Sequence, residues 1–237
     1  MGKAHRHHGK ETDMPYQAQI VCLANSRKPQ GKCIAGKIWG GEHHGTWVRP
    51  VSSRPQDSIS DTERTCQTGH FAQLRDLLSI SFSNAHGHVF QQENHVIQHP
   101  PVWVQNGQAS IADLAGLVDT PLTLWENNYH SYSGCNDKVP AEILLHSRPS
   151  LYLIRPQNIR VRVSAEGAYR RDMTLKARAT FSYNRVSYSL IITDCDVENY
   201  YQQQGAGDYA PEDVNYFTVS LGDVSNGFAY KLIAAVI

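Results

Sequence analysis

The segment NYHSYSGCNDKVP, residues 128–140, is the one stretch of the chain with the composition of an active site. His130, Cys135 and Asp137 fall together in a loop with Gly and Ser, so a base, a thiol and a carboxylate could converge there. That set would supply a Cys/His nucleophile for a nucleotide hydrolase or nuclease. The alternative is a structural loop, in which Asn136 and Asp137 cap a turn. The structural interpretation is favoured, because no second acid can be assigned to orient the histidine.

The loop at residues 22–37, CLANSRKPQGKCIAGK, suggests a different chemistry, the binding of an anion. It carries two small polar residues and then two cations: Asn25, Ser26, Arg27 and Lys28. Small polar residues beside cations in a tight loop suit a phosphate held by backbone N–H groups. As a structural turn, the same loop needs no ligand.

Charge is segregated along the chain, although 22 Lys and Arg balance 22 Asp and Glu. Cations dominate residues 27–54 and 155–185, whereas residues 186–215 contain acids and no Lys or Arg. A chain of zero net charge can therefore still present a basic surface.

In strands, residues two apart share a face, so Arg160 with Arg162, and Lys176 with Arg178, would line one side of a sheet. Such a face binds phosphate backbones through counterion release. The alternative is an ordinary solvated face paired with the acids of 186–215. Aromatic rings on which bases could stack lie near the two basic clusters. They are Trp39, Trp47, Tyr169, Tyr183 and Tyr188.

Motifs of common enzyme and metal classes do not occur in the sequence. It has no phosphate-binding loop, dinucleotide fingerprint, nucleophile elbow or zincin motif, so we expect no cofactor. The histidine pairs His43-His44 and His86/His88 lack acidic or cysteine partners at ligand spacing, so we expect surface histidines and no metal. Five cysteines without a C-x-x-C pair predict reduced thiols, and hence a cytoplasmic location. No apolar run approaches the roughly 20 residues of a membrane span.

The apolar pattern predicts strands and short helices in an order that occurs twice. From residue 17 come three strands, a short helix opened by a Ser60/Glu63 capping box, and strands near 77–83 and 88–97. From residue 150 come a long or bent strand, a hairpin turning at Asn184-Arg185, a helix in DVENYYQQQ and two final strands. Between them, SIADLAGLV has helical spacing behind Ser110.

Three strands, a helix and two strands is the element order of the OB-fold, a five-stranded Greek-key barrel. The predicted fold is therefore mainly β: two OB-like five-stranded barrels with short helices, joined by an irregular or helical connection. The predicted organisation is a disordered tail at 1–16, a first barrel at 17–99, a connecting segment at 100–149 and a second barrel at 150–237. Other five-stranded barrels remain possible.

Several motifs together resemble one family. They are CLANSRK, GKCIAGK, WVRPVS, YHSYSGCNDKVP, SLYLIRP, SLG and YKLIAAVI, in that order. This pattern resembles the prokaryotic dual OB-containing domain family. The resemblance implies two OB-like barrels in one unit, a nucleic-acid- or nucleotide-binding role often associated with defence systems, and no established catalysis.

Carried over by position, the resemblance marks these residues: Asn25, Ser26, Arg27, Lys28, Lys37, Trp47, Arg49, Asn136, Asp137 and Lys138. This chain differs from the family pattern at Lys138, where the family has Arg, and a lysine cannot make a bidentate contact.

The sequence as a whole predicts a non-enzymatic module that binds single-stranded nucleic acid or a nucleotide. Two alternatives remain open. One is an adaptor or nucleotide sensor that docks an effector such as a helicase or nuclease. The other is an enzyme that uses the loop at residues 129–138.

Overall fold

Six strands of the N-terminal half form one sheet in the computed structural model, which describes residues 14–87, 90–144, 149–167 and 174–237. They are β1 Tyr16–Lys28, β2 Gly31–Ile38, β3 Trp47–Val51, β4 Asp76–Ala85, β5 Asn94–Ile97 and β6 Trp103–Gln108. The order β1-β2-β3-β5-β4 closes where β4 pairs with β1, and β3 runs parallel to β5. This closed five-stranded barrel has the strand order of an OB-fold.

Eight strands of the C-terminal half form the second sheet. They are β7 Lys138–Pro140, β8 Leu151–Ile154, β9 Gln157–Glu166, β10 Thr174–Tyr183, β11 Val186–Ile192, β12 Gly207–Tyr209, β13 Phe217–Leu221 and β14 Phe228–Val236. The main path is β12-β9-β10-β11-β14-β13-β8, with β7 added on β14. Only two residues, Arg155 and Pro156, separate β8 from β9. The two strands are therefore halves of one bent strand, whose first half pairs with β13 and whose second half pairs with β10.

Helical structure in the described residues is short. It comprises α1 Ala141–Leu144, α2 Cys195–Gln204 and 3-10 turns at Pro55–Asp57 and Asp113–Leu117. The predicted helix in DVENYYQQQ is confirmed as α2, whose N-terminal N–H groups donate to the Asp194 carboxylate. The predicted hairpin is confirmed as well, and both Asn184 and Arg185 have positive φ there.

Two local predictions were wrong. The Ser60/Glu63 box forms, since Ser60 N and Oγ both donate to Glu63, but only a turn follows it. The chain after the turn folds back on itself, with Cys66 N donating to His70 O, and cannot continue a helix. The strand predicted at 88–97 is only Asn94–Ile97, because Gln91 leaves the sheet and donates to Leu221 O of the second barrel. His88 lies outside the described residues.

The predicted mainly β, dual OB-like fold is confirmed. The segment predicted to connect the barrels contributes β6 to the first sheet and β7 to the second. It also carries the 3-10 turn Asp113–Leu117, behind a Ser110/Asp113 box.

The two barrels pack against each other through β1. Its residues alternate between two cores: Ile20 and Cys22 point into the first barrel, whereas Val21 and Leu23 join a cluster that includes Leu153 of the second barrel. Backbone contacts add to this junction, as Arg27 N donates to Thr193 O at 2.9 Å. Burial on both faces explains the nearly continuous apolar run of β1. Within the described chain, no helix has the length and apolar character to cross a membrane.

Candidate functional site

A cleft of about 940 Å³ lies where the two barrels meet. The same four elements of each barrel line it: the second strand, the third strand, and the loops after the first and fourth strands. The first barrel contributes Pro29, Cys33, Arg49 and Gln91, and the second contributes Gly167, Arg178, Ile191 and Gly222. These are the elements through which OB-folds hold oligonucleotides and oligosaccharides.

Cations outnumber carboxylates among the cleft-lining residues, five to three. They are Arg27, Lys28, Arg49, Arg178 and Lys231 against Asp137, Glu166 and Asp223. The lining residues alone carry a formal charge of +2, but Glu198 and Glu93, which pair with Arg27 and Arg49 from outside the lining, offset it.

Arg27 and Lys28 are the cleft cations best placed to meet a ligand. Arg27 Nε lies 2.7 Å from Glu198 Oε2, yet the arginine side chain is 43% exposed. Lys28 Nζ is 3.8 Å from a carboxylate oxygen of Asp223, which is itself 70% exposed. The Lys28 contact is long and its carboxylate is exposed, so it exchanges easily for another anion, whereas Glu198 is only 7% exposed and holds Arg27 more firmly. Ser26 also lines the cleft, whereas the Asn25 amide donates to Ala72 O within the first barrel.

Arg178 supports the wall of the cleft. Its guanidinium makes a two-pronged contact with Glu166, at 2.9 and 3.0 Å, and its Nη1 lies 3.4 Å from Asp137 Oδ2. These contacts of the Arg178 guanidinium fix the end of β9 and the loop 128–137 relative to β10.

The loop 128–137 is anchored at its base and exposed at its tip. Asp137 accepts hydrogen bonds from Ser131 N and Oγ, and the side chain of Asn136 accepts from Asn128 N. Gly134 is required there, since an added Cβ would lie 1.9 Å from Asp137 Oδ2. At the tip, Tyr132 lines the cleft with 99% of its surface exposed.

The three candidate catalytic side chains are near one another in sequence but do not form a relay. His130 Nδ1 accepts from Asn136 N, and Cys135 Sγ lies 3.7 Å from Ser187 O. Asp137 bonds to Ser131 and Arg178 instead. No hydrogen bond joins any two of the three within the described residues. Neither His130 nor Asp137 is therefore hydrogen-bonded to the thiol as a base.

Five of the ten residues marked by the resemblance do not line the cleft, and two of these, Lys37 and Trp47, are buried together. Lys37 Nζ, 3% exposed, donates at 2.6 Å to both Asp119 Oδ1 and Leu117 O. Trp47 is buried, and its indole N–H donates to the other oxygen of Asp119. Burial outweighs the attraction of Asp119 and lowers the pKa of Lys37. Both side chains hold the fold together at this point.

Arg49 lines the cleft from a buried position. Its Nη2 lies 3.2 Å from Glu93 Oε1 and 2.9 Å from Ser150 Oγ, and it also reaches Ser220. Arg49 thereby joins the first barrel to the second.

A basic strip, comprising Arg160, Arg162 and Lys176, continues from the cleft across the outer face of β9 and β10. Arg162 is the register partner of Arg178, and Lys176 stands two residues from Arg178. Arg160 and Arg162 are exposed and Lys176 is half-buried. Within the part of the chain that the structure describes, none of the three forms an ion pair, although Asp208 of β12 is the register partner of Arg162.

The remaining candidates have separate places. Lys138 Nζ lies 4.4 Å from the centre of the Phe228 ring. Tyr183 and Tyr188 are core residues, Trp39 is half-buried, and Tyr169 lies outside the described residues. His43 and His44 are exposed, and among the described residues no three His, Cys, Asp or Glu side chains are placed to hold a metal.

Sequence reasoning missed Lys231, a buried lysine on β14 at the cleft. Its Nζ donates to Glu126 O at 2.6 Å and to Asn127 Oδ1 at 3.1 Å, and lies 5.3 Å from the centre of the Tyr188 ring. Burial lowers the pKa of Lys231 to about 7, against the opposing effect of Asp137. The sequence feature that could have identified Lys231 was a single lysine within the otherwise apolar strand YKLIAAVI.

Comparisons with known proteins address the fold. One solved structure, described as the crystal structure of the tetrameric p202 HIN2, is similar with 10% sequence identity and a TM-score of 0.31, covering 94% of this chain and 92% of that one. No curated protein matches the sequence. A family model described as the dual OB-containing domain matches residues 18–236, nearly the whole chain. The chain therefore belongs to the dual OB-containing domain family.

Proposed function

We propose that this protein binds single-stranded nucleic acid in the cleft between its barrels. The observation that carries the proposal is the convergence of the ligand-binding elements of two OB barrels on one cleft. A strand lying there would contact both barrels at once, because each barrel contributes at least two strands and two loops.

The arrangement of charge favours a polymer as the ligand. Arg27 and Lys28 offer cations within the cleft, and the basic strip offers three more outside it, continuous with Arg178. A chain of phosphates can occupy both regions, whereas a mononucleotide can occupy only one. Lys and Arg that neutralise phosphates release counterions and so drive binding.

Tyr132 supplies the aromatic component of the proposed interface. Its ring is almost fully exposed on an anchored loop beside the cleft. Stacking a base on an exposed ring contributes about 1–3 kcal/mol and works with any base, which suits a single strand.

Fluorescence anisotropy of protein freed of copurified nucleic acid tests the proposal. The probes are labelled single- and double-stranded DNA and RNA oligomers, titrated at several salt concentrations. We expect micromolar or tighter binding to single strands, with affinity that falls steeply as salt rises.

Variants of the basic strip sharpen the test. Each phosphate contact of a single strand contributes about 0.7 to the slope of log binding constant against log salt concentration. If each of the three strip residues contacts one phosphate, the triple variant Arg160→Ala/Arg162→Ala/Lys176→Ala should flatten that slope by about 2. Arg185→Ala is the matched control, because it removes one exposed cation of the same barrel at the far end of β10. Binding to no nucleic acid would refute the proposal and favour a protein adaptor. Salt-insensitive binding of mononucleotides would favour a nucleotide sensor.

A further inference from the structure

Lys32 and Cys195 form an unusually close contact across the junction of the barrels. Lys32 Nζ, on β2, lies 2.7 Å from Cys195 Sγ at the start of α2. The other cysteine sulfur contacts among the described residues are longer: Cys22 Sγ to Ala24 O is 3.5 Å, Cys135 Sγ to Ser187 O is 3.7 Å, and Cys195 Sγ itself lies 3.9 Å from Thr193 O. Among the described residues, no other cysteine has a lysine nitrogen within hydrogen-bonding distance.

The surrounding geometry holds this pair in place. Lys32 is the register partner of Arg27 on β1, and Arg27 bonds to Glu198 at 2.7 Å. Cys195 and Glu198 are three residues apart in α2 and so share a face of the helix. Two adjacent residues of the β1–β2 hairpin thus contact one face of α2. Both Lys32 and Cys195 are half-buried, which leaves them accessible to a small oxidant.

We propose that Lys32 and Cys195 are a site of oxidative crosslinking, in which one oxygen atom bridges the lysine nitrogen and the cysteine sulfur. In such an N–O–S bridge the nitrogen and the sulfur lie about as far apart as Lys32 Nζ and Cys195 Sγ do here. The oxidant is dioxygen: thiol, ammonium and O₂ give the N–O–S bridge, one water and one proton. The O–O bond, the S–H bond and two N–H bonds break, and one S–O bond, one N–O bond and the two O–H bonds of water form. Sulfur and nitrogen each lose two electrons, and dioxygen gains four.

The crosslink would fasten the two barrels covalently beside the cleft. Cys33, next to Lys32 in the sequence, lines the cleft, and Cys195 is the first residue of α2, whose Glu198 bonds to Arg27 of β1. The hairpin would then be held to α2 by a bond instead of by exchangeable contacts. Two molecules of a dithiol would reverse the step: each is oxidised to a disulfide, and together they return the free thiol, the amine and one water.

Mass spectrometry of protein kept under air and under reductant tests this proposal. The bridge adds about 14 Da, one oxygen gained and two hydrogens lost, whereas a sulfenic acid adds about 16 Da. We expect the smaller increment, a tryptic crosslink joining the peptides that contain Lys32 and Cys195, and loss of both on reduction. Amine-reactive labelling of Lys32 should fall in air and recover with reductant.

Two variants and one control complete the test. Lys32→Arg keeps the positive charge and should lose the crosslink, as should Cys195→Ser. Cys33→Ser removes another half-buried cysteine next to Lys32 in sequence and should keep the crosslink. A 16 Da increment on Cys195 with Lys32 still freely labelled would overturn the proposal, and so would an unchanged mass after prolonged aeration. The readout is the covalent bond itself, so the result does not depend on whether the protein binds nucleic acid.

Discussion

Replacing Asp119 by alanine should lower the free energy of unfolding without changing ligand binding. One Asp119 oxygen accepts from Lys37 Nζ, and the other accepts from Trp47 Nε1 and from Leu153 N. Removing the carboxylate leaves a 3% exposed ammonium without its counter-charge. Breaking a buried ion pair in this way costs about 3–5 kcal/mol. Asp119 is 23% exposed, so water can replace part of the interaction, and we expect about 3 kcal/mol, at the lower end of that range.

Urea and thermal unfolding followed by circular dichroism measure this loss. For a chain of this length, about 3 kcal/mol lowers the Tm by about 6–12 °C. Glu42→Ala, at an exposed carboxylate, should change stability by less than about 0.5 kcal/mol. The double variant Lys37→Met/Asp119→Leu should recover only part of the loss, because it removes the unpaired ammonium but leaves Trp47 Nε1 and Leu153 N without their acceptor. A loss below about 1 kcal/mol for Asp119→Ala would refute the reasoning.

Three further changes test other parts of the structure. Between pH 7 and 10.5 the folded protein binds fewer protons at Lys231 than the unfolded chain does. The free energy of unfolding, relative to that of Lys231→Met, should therefore rise by about 1.4 kcal/mol per pH unit. A difference that does not change with pH would contradict the lowered pKa. Arg185→Gly should stabilise the hairpin by about 0.5–1 kcal/mol in urea unfolding, because Arg185 has a φ of 66°; destabilisation would contradict this. Gly134→Ala should cost about 1–3 kcal/mol by displacing the Asp137 carboxylate, and unchanged stability would show that the loop can adjust.

The fold could be predicted from the sequence because its signals are local. Short β-branched runs and the Asn184-Arg185 turn each act over a few residues, and the order of the predicted elements occurs twice. The Ser60/Glu63 box shows the limit of such signals. The box forms as expected, but whether a helix follows depends on what the chain pairs with next, and here Cys66 pairs with His70.

The site could be predicted only in part, because the partners of its charges lie far away in sequence. Lys37 pairs with Asp119, and Arg178 pairs with Asp137. A local count of cations cannot reveal such neutralisation, so a basic cluster in sequence includes both buried structural cations and free ones. The strip residues Arg160 and Arg162 were predictable, since strand alternation places them on the outer face.

Photocrosslinking of a single-stranded oligomer that carries 5-iodouridine tests the central claim most directly, because it locates the ligand on the protein. The account predicts crosslinks in cleft elements of both barrels, within residues 26–33 of the first and residues 131–133 and 220–232 of the second. Tyr132 should be a principal site, and its replacement in Tyr132→Ala should remove the crosslinks of that loop while those of the first barrel persist. Crosslinks confined to one barrel, or to surfaces away from the cleft such as residues 39–46, would contradict it.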